Sequence, residues 1–302
     1  MAGAILDKAT GLLDRRFVLN VLGPSLVFWS ALAVLVAQGT GWSRWGALWR
    51  GLSGLEQAYA AGGVLALVMI FGAAAGSQIV GLTRLWQGYW PSPLGRAMAG
   101  RGIRRERRRR DRLDPATHDG YQRRYYGFPP RSDEVLPTRL GNVLQAAEAY
   151  SGDEARYGAD AAFFWPRLYL VLPADIRTAV DQARSRLGMF VMMASLGTAF
   201  PLLGLVPVLL LGTAWTLWAA LSAAAVVTAV VAYRGSVRAG AAFGDLVRSC
   251  FDLHRRTALR QLGLAVPTTL EQERRLWRAL RRQLYRRGPG EPGLEFRPDP
   301  AP

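Results

Sequence analysis

Apolar residues gather into four long runs, at 17–38, 59–81, 189–210 and 213–233, and no Asp, Glu, Lys or Arg interrupts any of them. A hydrocarbon layer about 30 Å thick is crossed by about 20 apolar residues in a helix, so each run is long enough to span it. The last two runs merge into an uncharged stretch of 45 residues, 189–233. As one helix this stretch would reach about 68 Å, too long for a bilayer, so the chain must fold back. Gly212 and Thr213 lie near its middle, and Trp215 and Trp218 suit the adjoining interface. The pattern predicts a hairpin there, with a turn at Gly204–Pro207 as the alternative. Pro201 and Pro207 then fall inside the third span, where neighbouring helices can satisfy the freed carbonyls.

Between and beyond the runs the period shortens to that of amphipathic helices. In 1–16, Ile5, Leu6, Ala9, Leu12 and Leu13 share one side, as in an in-plane surface helix. Trp42, Trp45, Trp49 and Leu52 recur at helical spacing and predict a short interfacial helix, either a tryptophan belt or a lid over a vestibule. Leu85, Trp86, Tyr89 and Trp90 form a second belt, closed by Pro91. Thr138 caps a helix on which Leu140, Val143, Leu144 and Ala147 share a face. Asp160 opens an apolar stretch through Leu172, bent at Trp165–Pro166 and too short to span. Helical spacing runs from Pro173 into the third span, and onward from the fourth span to Gly263. Thr268 with Glu271 fits a capping box before a last helix bearing Leu276, Trp277, Leu280 and Leu284.

The expected architecture is therefore an all-α membrane protein with four transmembrane helices. An amphipathic helix occupies 1–16 and the first membrane hairpin 17–96. Residues 97–188 and 234–287 make one helical cytosolic domain on either side of the second hairpin, 189–233, and 288–302 forms a Pro/Gly-rich tail.

Charge sets the orientation. Three Lys/Arg precede the first span, two lie in 39–58, nineteen in 82–188, none in the turn between the last two spans and fourteen in 234–302. Positive residues accumulate on the cytoplasmic side, so both termini and the long middle segment are expected there. The net charge of +16 thus reads as topology and contact with anionic lipid. The densest cluster is Arg104, Arg105, Arg107, Arg108, Arg109 and Arg110, the expected lipid-headgroup contact. No aromatic interleaving accompanies it, so nucleic acid is not expected as a partner. Lys8 is the only lysine; with abundant Ala, Gly and Pro this fits a GC-rich bacterial coding bias and hence an inner-membrane location. One cysteine, Cys250, excludes an internal disulfide, and two histidines, His118 and His254, argue against a zinc or haem centre; no cofactor is expected.

The spans are poor in chemistry. Ion-coupled pumps and voltage sensors keep ionisable groups inside the membrane, and these spans carry none. Asn20 and Gln78 fall at similar depth in antiparallel spans, as an interhelical hydrogen bond or as a polar ring at a pore mouth. Gly72 and Gly76 form a GxxxG that permits close helix packing. Arg139, Glu148, Arg156, Asp160 and Arg167 sit among aromatics, as a structural charge network or an acid–base site. No nucleophile elbow, phosphate-binding glycine loop or metal-histidine pair is present, which leaves a lipid-modifying enzyme as the one catalytic class compatible with the chain.

The strings Leu136-Pro137-Thr138-Arg139-Leu140-Gly141-Asn142-Val143-Leu144, Tyr157-Gly158 and Trp165-Pro166-Arg167-Leu168 resemble those of a group of integral membrane proteins of actinobacteria and their relatives. Gly88-Tyr89-Trp90-Pro91 and the segment from Pro267 through Glu273-Arg274 to Trp277 share the resemblance. It implies that the helices outside the spans are a fixed part of the architecture, and it carries no activity. The layout alone is similar to that of bestrophin-like anion channels. The expected function is a homo-oligomeric channel or pore with a basic cytosolic sensing domain for a small molecule or protein. The alternative is a non-conducting anchor or scaffold.

Overall fold

A computed structural model describes residues 22–113 and 124–285. Within them the chain forms ten α-helices and no strand. They are α1 (Gly23–Thr40), α2 (Trp42–Gly51), α3 (Gly54–Ser77), α4 (Ile79–Gln87), α5 (Pro93–Asp111), α6 (Arg139–Gly152), α7 (Ala161–Val171), α8 (Ala174–Leu211), α9 (Trp215–Gln261) and α10 (Leu270–Tyr285). Four of them, α1, α3, α8 and α9, are long and apolar enough to cross a membrane. The protein is an all-α membrane protein of four apolar spans with a substantial helical part besides them. The 1–16 helix and the 288–302 tail lie outside the described residues, as does Asn20.

The chain divides into two units. The first comprises the described residues up to 84 together with 185–236. Phe28 and Leu35 of α1 meet Phe200 of α8, with Trp218 of α9 packed on them. Phe28 also stacks on Phe71 of α3 at 6.1 Å and meets Phe200 edge-on at 5.9 Å. At Gly197 a Cβ would lie 2.7 Å from the Ala225 carbonyl oxygen, so only glycine lets α8 and α9 approach this closely. The chain reverses between α8 and α9 at Gly212, whose φ of +68° is one glycine adopts without strain. Thr213 Oγ1 donates to the Leu35 carbonyl at 2.9 Å, and Ala214 N–H donates to Gln38 Oε1 at 2.9 Å. These bonds hold the C-terminal end of α1 and the α8–α9 turn together at one end of the unit. The Trp218 indole N–H donates to the Pro201 carbonyl at 3.1 Å.

The α2 helix forms as expected, with Trp42, Trp45 and Trp49 exposed. The α3 helix starts at a capping box, Ser53 with Glu56, and stops at Ser77. Gln78 is a turn residue between α3 and α4 rather than part of a continuous second span. Its N–H reaches the Ala75 carbonyl at 3.2 Å, and its own carbonyl accepts from Leu82 N at 2.9 Å.

The second unit comprises 85–184 and the described residues from 237. Its core gathers Phe164, Leu168, Leu172, Val180, Cys250, Phe251, Leu259, Trp277 and Leu280. The apolar 161–172 stretch is thus the centre of this core, with Phe164 meeting Trp277 at 4.6 Å. On α6, Leu140, Val143 and Ala147 are buried as their spacing predicts, and Gly240 and Gly244 of α9 receive that face. The last helix starts one residue later than its sequence suggests. Thr269, not Thr268, caps it, and Gln272, not Glu271, returns the bond: Gln272 N donates to Thr269 Oγ1, and Gln272 Oε1 accepts from the Thr268 and Thr269 amides. Both pairs satisfy the same spacing, and the amide oxygen of Gln272 wins over the carboxylate of Glu271, which turns out to pair with Arg275.

The quoted strings meet one another in space. Pro137 sits against Gly88 and Gly102, where a Cβ would lie 2.2 Å and 2.6 Å from its ring carbons. Thr138 Oγ1 donates to the Trp86 carbonyl at 2.8 Å while accepting from Gly141 N at 3.0 Å. Arg274 donates to the Arg156 and Ala155 carbonyls at 2.8 and 2.9 Å, beside Gly158.

Candidate functional site

The site is built on α5. Ser92 caps this helix by accepting from Gly95 N at 3.0 Å, with Pro93 in its first turn. Its rotation is fixed by Glu106, which is buried amid arginines. Asn142 Nδ2 donates to Glu106 Oε2 at 3.3 Å, while Asn142 Oδ1 accepts from Leu136 N at 2.7 Å. On the same side Arg107 Nε donates to the Ser132 carbonyl at 3.0 Å. Arg110 donates to the Pro130 carbonyl at 2.7 Å and the Tyr125 hydroxyl at 3.2 Å. Residues advance about 100° each around a helix, so the opposite face carries Arg101, Arg104, Arg105, Arg108 and Arg112.

These five line a cleft of about 1070 Å³ together with Arg109, Arg124, Arg139, Leu113 and Phe128. Of the ten described residues that line it, eight are arginines. Arg139 lies over the Phe128 ring at 4.4 Å, and Arg109 comes within 3.8 Å of Glu106. Two like charges about 8 Å apart repel by about 2 kcal/mol at an effective dielectric near 20, so eight guanidiniums around one cleft favour a bound anion. Arginine side chains carry five donors and no acceptor, so this lining matches ligands whose surface is all acceptor.

The six arginines expected to touch anionic lipid therefore divide. Arg104, Arg105, Arg108 and Arg109 line the cleft, whereas Arg107 and Arg110 tie α5 to the 125–132 segment. Arg101 escaped the sequence reading, and Arg112 ends the same arginine run; both continue the Arg105 and Arg108 face at helical spacing. Arg124 had no local signal.

The five charges read as a network find distinct partners. Arg139 lines the cleft. Arg156 donates to the Tyr150 hydroxyl at 2.9 Å and lies over its ring at 4.0 Å. Asp160 caps α7 through Phe163 N and pairs with Arg281 at 3.2 Å. Arg167 donates to the Phe163 carbonyl at 2.9 Å, and Glu148 is exposed. Gly72 is buried in the first unit, and Gly76 is half-buried.

A second polar cluster was not visible in the sequence. Asp252 accepts from Tyr157 at 2.8 Å and from Tyr150 at 3.0 Å, joining 150–157 to α9 across about a hundred residues of chain. Arg255, one turn on, covers the Tyr157 ring at 3.9 Å and donates to Glu273 Oε1 at 2.7 Å. Burial first, and then the bond to Asp252, push the Tyr157 phenol from 10.0 up to about 12. Tyr150 is raised for the same reasons in the same order. A raised pKa means that folding favours the protonated phenol, so this contribution is complete below pH 10 and is lost as pH climbs from 10 to about 12. Alkaline unfolding of the detergent-solubilised protein should steepen in that window. In Tyr157→Phe the steepening should shrink; an unchanged profile would show that the phenol is not coupled to the fold.

No family model, curated protein or solved structure matches this chain.

Proposed function

We propose that the protein is a homo-oligomeric pore of the bacterial inner membrane, with both termini inside and the arginine-rich unit sensing a cytoplasmic anion. The observation that carries this reading is how little the apolar helices cover one another: 11% of the α3 window and 17% of the α9 window are buried. Val64, Leu67 and Ile70 on α3 and Val227 and Val231 on α9 are exposed, and nothing stands within 4 Å of a Cβ at Gly62 or Gly63. Such faces suit lipid and close approach by further copies. Uncharged spans suit passive permeation rather than ion coupling. Four helices are too few to enclose an aqueous path unaided, so assembly is a condition of the reading.

The orientation rests on the asymmetry of positive charge. The bonds from Thr213 and Ala214 to α1 support it, because they join the two charge-poor connections at one end of the first unit.

Reconstitution in nanodiscs, with mass measurement and planar-bilayer recording, tests the proposal. The expected result is a discrete multimer with unitary conductance. A strict monomer ends the pore reading. A multimer without conductance favours the second reading, a scaffold that organises partners at the inner surface.

A further inference from the structure

We infer that the arginine cleft of the second unit is a receptor for a ligand carrying three or more phosphate groups and read through those groups alone. This names the ligand class for the sensing unit proposed above and rests on that reading. The face from Arg101 to Arg112 covers twelve residues, about 16 Å along the helix, longer than one phosphate can engage. A phosphate oxygen set takes two or three guanidiniums in forked hydrogen bonds, so eight guanidiniums call for about three such groups.

The lining also says what is not read. Its arginines donate and never accept, so they cannot recognise the donor groups of a nucleobase or sugar. Among the described residues its one aromatic ring, Phe128, is 4% exposed and already faces Arg139, so none of them offers a ring surface free to stack a base. Recognition is therefore of phosphate number and spacing, as offered by an inorganic polyphosphate or by a multiply phosphorylated polyol, free or as a lipid headgroup.

The rigid setting of α5 separates this cleft from a solvated run of charge. Glu106 and Asn142 are buried behind it, and Arg107 and Arg110 are held on backbone carbonyls, so the remaining arginines are presented on one face.

The test is calorimetric titration of the full-length protein in zwitterionic nanodiscs, apart from any conductance measurement. Tripolyphosphate is expected to bind, orthophosphate about tenfold or more weaker, and ATP no tighter than tripolyphosphate. Arg105→Gln with Arg108→Gln should weaken tripolyphosphate about tenfold. Arg275→Gln with Arg278→Gln removes the same charge from α10 and should change it by less than about twofold. Unfolding transitions of both variants establish that each is folded. In nanodiscs doped with a multiply phosphorylated lipid, loss of tripolyphosphate binding identifies the headgroup as the source; retained binding identifies a soluble ligand. The inference is overturned if both double variants lose equally, if orthophosphate matches tripolyphosphate, if ATP binds tighter, or if a singly charged lipid competes as well. Binding without any effect on conductance would leave it standing and retire only the sensing role assigned to this unit above.

Discussion

Glu273→Ala is expected to destabilise the second unit by about 3–5 kcal/mol. Glu273 is 1% exposed, and its carboxylate accepts from Arg255 Nε at 2.7 Å and from the Trp277 indole at 3.4 Å. Arg255 is itself largely buried, against the Tyr157 ring and the Asp252 carbonyl. Removing the carboxylate strands a guanidinium in a low-dielectric setting, and that penalty exceeds the net value of the pair. The pairing logic gives a second outcome. Arg255→Met with Glu273→Leu removes both charges and should recover most of the loss. Denaturant unfolding in micelles, followed by tryptophan emission, reads both. A loss under about 1 kcal/mol for the single variant would mean that water reaches the pair and screens it.

Gly88→Ala is expected to cost about 3 kcal/mol through two separable causes. Gly88 has a φ of +97°, where an L-residue pays about 1–2 kcal/mol. Its new Cβ would also fall 2.2 Å from Pro137 Cγ and 2.8 Å from Cδ, so the ring must move. Gly158→Ala supplies the comparison: φ is +67°, but the nearest atom would be 3.7 Å away, so only the backbone cost applies. Adding Pro137→Ala removes the two clashing carbons and leaves a contact of 3.4 Å. The Gly88→Ala, Pro137→Ala double variant should therefore lose less than the sum of its singles. Strict additivity would refute the close approach.

Much of the fold follows from periodicity. Long uncharged runs must be helices in hydrocarbon, and a 45-residue run must reverse. That argument selects Gly212 over Gly204–Pro207, and α8 continues through both Pro201 and Pro207 to Leu211. Helical spacing likewise carries α8 back to Ala174 and α9 on to Gln261. Thr138 and Asp160 cap where their side chains predict. What periodicity could not supply was which neighbour a residue would meet. The break at Gln78 leaves no signature, because Ser77, Gln78 and Ile79 are all compatible with a continuing helix.

The site was half legible for the same reason. A run of arginines shows its charge but not its rotation, and the rotation depends on Asn142, thirty-six residues from Glu106. Only with Glu106 turned inward do Arg107 and Arg110 separate from Arg105 and Arg108. The Asp252–Tyr157 and Arg255–Glu273 bonds join segments far apart in the chain, and no local pattern announces them.

The place of Cys250 has a practical consequence. Its sulfur lies in the apolar core beside Phe251 and is 2% exposed, and burial raises its thiol pKa, so it presents little thiolate to a reagent. The folded wild-type chain thus behaves toward maleimides almost as a cysteine-free background. A cysteine introduced singly on α2 or on α10 becomes the one addressable handle, and impermeant reagents can report its sidedness without first engineering away the native thiol.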